Sequence, residues 1–173
     1  MNYRQHGLPG RQGLYDPTHE HDACGVGMVI QIDGIRSHEI VENGLRVLEN
    51  MQHRGAEGAD SKTGDGAGIL VKIPHEFILL QGIPLPERGR YGTGLVFLPR
   101  AESMRERCME LIHTETASSG LVLVHIREVP TDPTGLGQAA LDTEPVIRQL
   151  FVTGSTDTDQ LEKQLFVLRK RIE

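Results

Sequence analysis

Cys24 has both the side chain and the setting for nucleophilic chemistry. It lies within the segment EHDACGVG at residues 20–27, immediately before an apolar run from Val26 to Ile32. If the chain is cut between Ala23 and Cys24, the cysteine gains a free α-amino group with an ordinary pKa of about 7.7–8, beside a thiol near about 8.5. One residue then carries a nucleophile and a base, which is a starting point for acyl transfer. The alternative is a buried cysteine that begins a core strand.

Arg54 is the second residue with a chemical interpretation. It follows an amphipathic helical pattern, in the segment QHRG at residues 52–55. A cation at this position can simply stabilise the helix C-terminus. A guanidinium can also bind a carboxylate as a bidentate fork, which a small amino-acid substrate would require. Combined with a cysteine at the start of a strand, this interpretation makes Arg54 a candidate substrate-binding residue.

The glycine-rich segment TGDGAG at residues 63–68 has two interpretations. It lacks the Gly-Lys-Ser/Thr ending of a P-loop and precedes a strand rather than a helix, which argues against nucleotide binding. Either it is a plain turn, or Asp65 and adjacent amides such as that of Gly66 line a site for an ammonium group.

His19, His21 and Cys24 have a spacing that metal ligands can adopt. A fourth ligand is not evident, however, and the segment is punctuated by glycine and proline. We therefore assign no metal site to the sequence and keep a small metal-binding module only as a competing hypothesis.

The elements that must position these residues follow from apolar periodicity and from Gly and Pro punctuation. Ser37 is the expected N-cap of the first helix, which Gly55 can end, and Cys108 is expected as a core thiol in the helix over 101–116. The sequence predicts strands at 26–32, 69–73, 91–98, 121–129 and 147–152, and helices at 38–54, 101–116 and 157–173. It also predicts a short helix or turn at 74–80 and a loop at 131–143. This mixture favours helices packed on sheet faces.

Composition narrows the function classes. The 173 residues suggest one domain or a sizeable piece of one, and the net charge of −6 without a basic patch argues against nucleic-acid binding. No apolar stretch approaches the roughly 18–20 residues that span a bilayer, so no membrane partner is expected. Two cysteines in different settings do not form a disulfide framework, which favours a reducing, cytoplasmic location.

Several motifs together resemble one family. They are LYDP at 14–17, EHDACGVG at 20–27, HRGA at 53–56, TGDGAG at 63–68, RYGTG at 90–94, EPVIRQLFV at 144–152 and LFVLRK at 165–170. The chain thereby resembles the N-terminal class II glutamine amidotransferase domain of glutamate synthase large subunits, over nearly its whole length. The resemblance implies an α+β fold of the N-terminal-nucleophile type, a four-layer αββα sandwich of antiparallel sheets that would be partial here.

The resemblance also implies a reaction. Residues 1–23 would be a propeptide-like leader that is removed autocatalytically, and residues 24–173 the N-terminal part of the amidotransferase domain. Cys24 would attack the side-chain amide of L-glutamine, its own amine would move the proton, and water would hydrolyse the resulting thioester. Arg54 matches the arginine that binds the substrate carboxylate.

The resemblance also implies what the remainder of the parent enzyme does with the ammonia. Ammonia would travel to 2-oxoglutarate, where reduction gives a second glutamate. No cofactor is expected in this chain, whereas FMN and an iron–sulfur cluster are expected in the remainder of the large subunit. The expected partners are that remainder and a small reductase subunit.

The family's oxyanion-hole Asn-Gly motif, and the acidic residue that holds the substrate ammonium, lie beyond residue 173. Loss of a single oxyanion donor typically slows such reactions by about 10²–10³-fold. We therefore expect the 173-residue chain to be a weak or inactive glutaminase alone. The alternative is a non-catalytic folding or assembly segment of a larger complex.

Overall fold

The computed structural model describes residues 11–14, 16, 25–51, 55, 62–64 and 66–173. Contacts divide the chain into two units, Met1–Leu70 and Val71–Glu173.

The first unit contains one helix, α1, Glu39–Asn50, among its described residues. It confirms the helix that the apolar spacing predicts, although the N-cap is His38 rather than Ser37 and the helix ends at Met51 before reaching Gly55. None of its residues is fully buried. The half-buried apolar side chains lie at helical spacing: Ile40, Val41, Val47 and Leu48.

The strands predicted at 26–32 and 69–73 are not formed. Both stretches are irregular, and the only sheet recorded among the described residues contains neither of them. A strand requires the hydrogen bonds of a neighbouring strand, which alternating apolar residues alone do not supply. The dipeptide Asp33-Gly34 is a strong turn signal in the sequence, and a turn is present there: the Gly34 amide donates to the carbonyl of Gln31 at 3.1 Å, and Gly34 has φ of +66°.

The second unit is built on a three-stranded antiparallel sheet. The strands β1, Tyr91–Leu98, and β2, Val122–Glu128, flank the central β3, Val146–Thr153. Leu98 lies opposite Val146 in the β1–β3 pair, and the β2–β3 pair has a register shift between Leu123 and His125. The central strand buries three consecutive residues, Leu150 to Val152, because both faces of the sheet are covered there.

Four helices accompany the sheet: α2, His75–Leu80; α3, Glu102–Ser118; α4, Gln138–Thr143; and α5, Thr158–Ile172. Asp157 caps α5 as the sequence suggests, since its carboxylate accepts from the Gln160 amide at 2.8 Å. The loop predicted over 131–143 is wrong at its end, where α4 forms. A side-chain hydrogen bond of 2.7 Å from Gln138 to Asp142 supports this single helical stretch.

Each face of the sheet carries its own apolar cluster. On one face α3 and α5 pack against the strands, and Cys108 lies half-buried beside that cluster, as predicted for a core thiol. Its buried members are Leu98, Met109, Ile112, Leu121, Leu150, Val152, Leu161 and Leu168. The opposite face carries a smaller cluster of Ile78, Ile83, Tyr91 and Phe151.

Apolar spacing in the sequence predicts one face of α3 made of Met104, Cys108, Leu111 and Ile112, but the face that packs on the sheet is rotated from it. Met104 and Leu111 are each 52% exposed, whereas Met109, Ile112 and Thr116 are buried. Met104 and Leu111 lie about 80–100° round the helix from Ile112, so they fall outside the stripe that faces the sheet. The α+β class is nevertheless confirmed: one antiparallel sheet with a packed helix layer is what part of an αββα sandwich would contain.

Candidate functional site

Three of the residues that the sequence assigns to a site lie outside the described residues. They are Cys24, Arg54 and Asp65. Gly66 is described, and it is exposed with φ of +83°. Only glycine adopts that conformation without strain, so this position is a turn residue whose type is dictated by the backbone.

The backbone just after Cys24 packs closely on helix α1. A Cβ placed on Gly27 would lie 2.3 Å from Cγ1 of Val47 and 3.8 Å from Cε of Met51. Real Cβ atoms do not approach another carbon to 2.3 Å, so this contact needs a glycine. The segment that follows position 24 and the end of the helix that precedes position 54 therefore lie side by side.

A glycine on the apolar side of a helix, such as Gly44, can allow close packing, but α1 does not use it in this way. A Cβ at Gly44 would meet no atom of the described residues within 4 Å. The close approach is made at the segment after the cysteine, not on the helix itself.

A second pair of chemically capable residues lies in the other unit. Nδ1 of His75 and the hydroxyl of Tyr91 are 3.0 Å apart, and the Tyr91 ring contacts that of Phe151 at a centroid distance of 6.4 Å. Burial raises the pKa of Tyr91 above its ordinary value of 10.0, while the nearby Arg88 charge acts in the opposite sense. A neutral, buried phenol bonded to a ring nitrogen anchors β1 to α2, so we interpret this pair as structural.

The described residues contain no group of three or more His, Cys, Asp or Glu that could hold a metal ion. His19 and His21 of the competing metal hypothesis lie outside them. Nor does any helix in the described ranges have the length and apolar character to cross a membrane.

Comparison with known proteins identifies the family. Residues 24–173 match the sequence model of the family described as glutamine amidotransferases class-II. This chain belongs to that family. The matched range begins at Cys24 and includes residues 24–70 of the first unit and the whole of the second.

Individual relatives are glutamate synthases from distant organisms. The chain is 41% identical over 178 residues to the glutamate synthase [NADPH] large chain of Bacillus subtilis, covering all of this chain and 12% of the relative. It is 42% identical to glutamate synthase [NADH] of Schizosaccharomyces pombe, over 95% of this chain and 8% of the relative. It is 34% identical to ferredoxin-dependent glutamate synthase 1 of Arabidopsis thaliana, over 95% of this chain and 10% of the relative.

The chain thus spans about a tenth of the length of these relatives. Sequence reasoning from the motifs around Cys24 and Asp65 reached the same family, which confirms the resemblance. It did not single out Gly27, although a glycine two residues into an apolar run is the signal that a backbone is closely approached.

Proposed function

We propose that this chain is the glutamine-hydrolysing part of a glutamate synthase. The observation that carries the proposal is the family match that begins at Cys24, the residue whose thiol and amine the chemistry needs. The glutamate synthases among its relatives support the identity of the parent enzyme.

The proposed reaction starts with removal of residues 1–23. The new α-amine of Cys24 accepts the thiol proton, and the thiolate attacks the side-chain carbonyl carbon of glutamine. The tetrahedral intermediate collapses to a glutamyl thioester as the amide nitrogen takes up the proton and leaves as ammonia. Water, deprotonated by the same amine, then attacks the thioester and releases glutamate and the free thiol.

Arg54 binds the α-carboxylate of glutamine in this proposal, and Asp65 and Gly66 line the site. The contact of Gly27 with Val47 supports this arrangement, because it joins the segment after Cys24 to the helix before Arg54. A bidentate guanidinium would fix the substrate's orientation relative to the sulfur.

Ammonia then passes to the remainder of the large subunit, where 2-oxoglutarate is reductively aminated. FMN and an iron–sulfur cluster belong to that remainder. The chain has two cysteines, fewer than the four thiolates that such a cluster usually takes, so its residues do not fit one. Relatives named for NADPH, NADH and ferredoxin all match this stretch, and we therefore place the choice of electron donor, with any small reductase subunit, outside it.

The test uses the full-length parent protein. Mass spectrometry should find Cys24 as the first residue of the mature protein, and a diazoketone analogue of glutamine should label that residue. Cys24→Ala should lower glutamine hydrolysis by at least about 1,000-fold, because no other group replaces the nucleophile. Cys108→Ala is the matched control, since its thiol lies half-buried beside the core. A mature chain that still carries residues 1–23, or inactivation without modification of Cys24, would exclude the mechanism.

In the same assay, we expect the isolated 173-residue chain to hydrolyse glutamine at least about 100-fold more slowly than the parent, since the oxyanion motif of the family lies beyond it. Turnover at the parental rate would contradict this expectation and would also exclude the non-catalytic alternative.

A further inference from the structure

A polar cleft of about 380 Å³ opens where the end of β2, the beginning of β3 and the start of α3 meet. Its charged lining consists of Arg100, Arg105, Arg148, Glu128 and Glu144. All five lie in the second unit, and the glutaminase proposal gives none of them a role.

The carboxylates of the cleft do not satisfy its guanidinium groups. Nη2 of Arg100 lies 3.9 Å from Glu144, and Nη2 of Arg148 lies 3.6 Å from Glu128. Both distances exceed those of charge-assisted hydrogen bonds, which are about 2.7–2.9 Å. The side chain of Arg148 is only 25% exposed, and its Nε is a buried donor with no hydrogen-bond partner among the described residues. Buried donors are usually paired, so the Arg148 guanidinium is incompletely satisfied within the described part of the chain.

Backbone carbonyls hold the other two arginines in place. Nη1 of Arg100 donates to the carbonyl of Leu141 at 2.7 Å, and Nη1 of Arg105 donates to the carbonyl of Arg100 at 2.8 Å. The two side chains are thereby oriented in advance, which lowers the entropy lost when they bind a further group.

Two of these arginines add positive charge at the start of α3, where Glu102 is the acidic residue of the first turn. Arg100 and Arg105 flank Ala101, the N-cap of α3, and this helix begins without a side-chain cap. The N-terminus of a helix carries a partial positive charge, which repels cations and attracts anions. Three guanidinium groups face two carboxylates in the cleft, so its lining keeps a net positive charge.

We propose that the cleft binds a small dianion that presents phosphate or carboxylate oxygens to Arg100, Arg105 and Arg148. The planar fork of a guanidinium matches both kinds of oxygen pair. The bound anion accepts hydrogen bonds from these guanidinium groups and balances the net positive charge of the lining. This site is independent of glutamine hydrolysis, so either proposal can fail without the other.

The test is a calorimetric titration of the 173-residue chain at constant ionic strength, with inorganic phosphate in one arm and succinate in the other. Sodium chloride serves as the reference for unspecific screening. We expect saturable binding of one dianion per chain in at least one arm. Binding of phosphate alone would identify a tetrahedral oxyanion as the ligand, and binding of succinate alone would identify a dicarboxylate.

Variants locate the binding in the cleft. Arg100→Gln and Arg105→Gln should each weaken the binding by about tenfold or more, the usual effect of losing a hydrogen bond to a charged group. Arg169→Gln is the matched control, because this arginine pairs with Glu173 at the far end of α5. The proposal is overturned if neither dianion binds beyond chloride, or if both variants bind as tightly as the unmodified chain.

Discussion

At the scale of single residues, the structure adds a positioning role next to the proposed nucleophile. Gly27 is three residues after Cys24, and its missing side chain lets the backbone lie against Val47 of α1. Val47 is β-branched and has one strongly preferred rotamer in a helix, so it cannot easily turn away.

Gly27→Ala should therefore lower the free energy of unfolding by about 1–3 kcal/mol, the usual cost of overpacking. Equilibrium urea unfolding followed by circular dichroism measures the change. Gly44→Ala is the control, because its Cβ would enter open space within the same helix and should stabilise by about 0.5–1 kcal/mol. Gly27→Ala should cost less free energy of unfolding when it is made in the Val47→Ala background than in the unmodified chain. An equal cost in both backgrounds would show that the contact with Val47 is not the cause.

Tyr91 makes stability depend on alkaline pH. Burial raises the pKa of its phenol above 10.0 in the folded chain, so the unfolded chain loses this proton first as the pH rises. The contribution of Tyr91 protonation to the free energy of unfolding is fully present below the unfolded pKa. It is lost as the pH rises from the unfolded pKa through the raised pKa of the folded chain.

We expect urea midpoints measured between about pH 8 and pH 11 to fall more steeply for the unmodified chain than for Tyr91→Phe. At pH 8 the urea midpoint of Tyr91→Phe should be slightly lower than that of the unmodified chain, because the variant lacks the hydrogen bond to His75. Tyr3 and Tyr15 are present in both proteins and do not affect the comparison. Identical slopes would mean that Tyr91 ionises equally in both states.

At the scale of elements, the packing of α5 on β1 depends on one glycine. A Cβ at Gly92 would lie 2.6 Å and 2.9 Å from the two methyl carbons of Leu165. Gly94 lies two residues further along the same strand, hence on the same face, and a Cβ there would meet no atom of the described residues within 4 Å.

This pair of glycines provides a matched test. Gly92→Ala should destabilise by about 1–3 kcal/mol because it pushes the helix off the strand. Gly94→Ala should be neutral or stabilising by up to about 1 kcal/mol, since alanine restricts the unfolded chain. Thermal and urea unfolding of both variants measure the difference; equal effects would show that α5 does not approach β1 as described.

At the scale of the whole molecule, the second unit is unevenly covered. Phe151 in the centre of the sheet is 0% exposed, whereas Phe97 on β1 is 65% exposed. The register places Phe97 opposite Ile147, four residues from Phe151 on the same face of β3. One end of this face is thus packed under the Ile78 cluster, while the other end remains open.

The two phenylalanines should therefore respond differently to truncation. Phe151→Ala should cost about 3–5 kcal/mol, a large share of the stability of a domain of this size. Phe97→Ala should cost less than about 1 kcal/mol, because its ring is largely in solvent. Urea unfolding of the 173-residue chain measures both. A large effect at Phe97 would mean that the open part of the face is covered in solution.

Local pattern predicted much of the second unit. The strands at 91–98 and 121–129, the strand around 147–152 and the helix that Asp157 caps all appear, because alternation, helical spacing and capping depend on residues a few positions apart. The strand predicted over 26–32 was wrong because a strand must pair with a distant segment, which the local pattern does not describe. The rotated face of α3 also depended on where the sheet lies.

The motifs around Cys24 and Asp65, taken together from the sequence alone, were enough to identify the family. The sequence does not say which glycines are closely approached by other atoms. In the structure they are Gly27 rather than Gly44, and Gly92 rather than Gly94. Only the tertiary structure decided this, and only it brought Arg100 and Arg148 to one cleft. Contacts between residues far apart in the chain follow from strand register and helix docking, which no local pattern encodes.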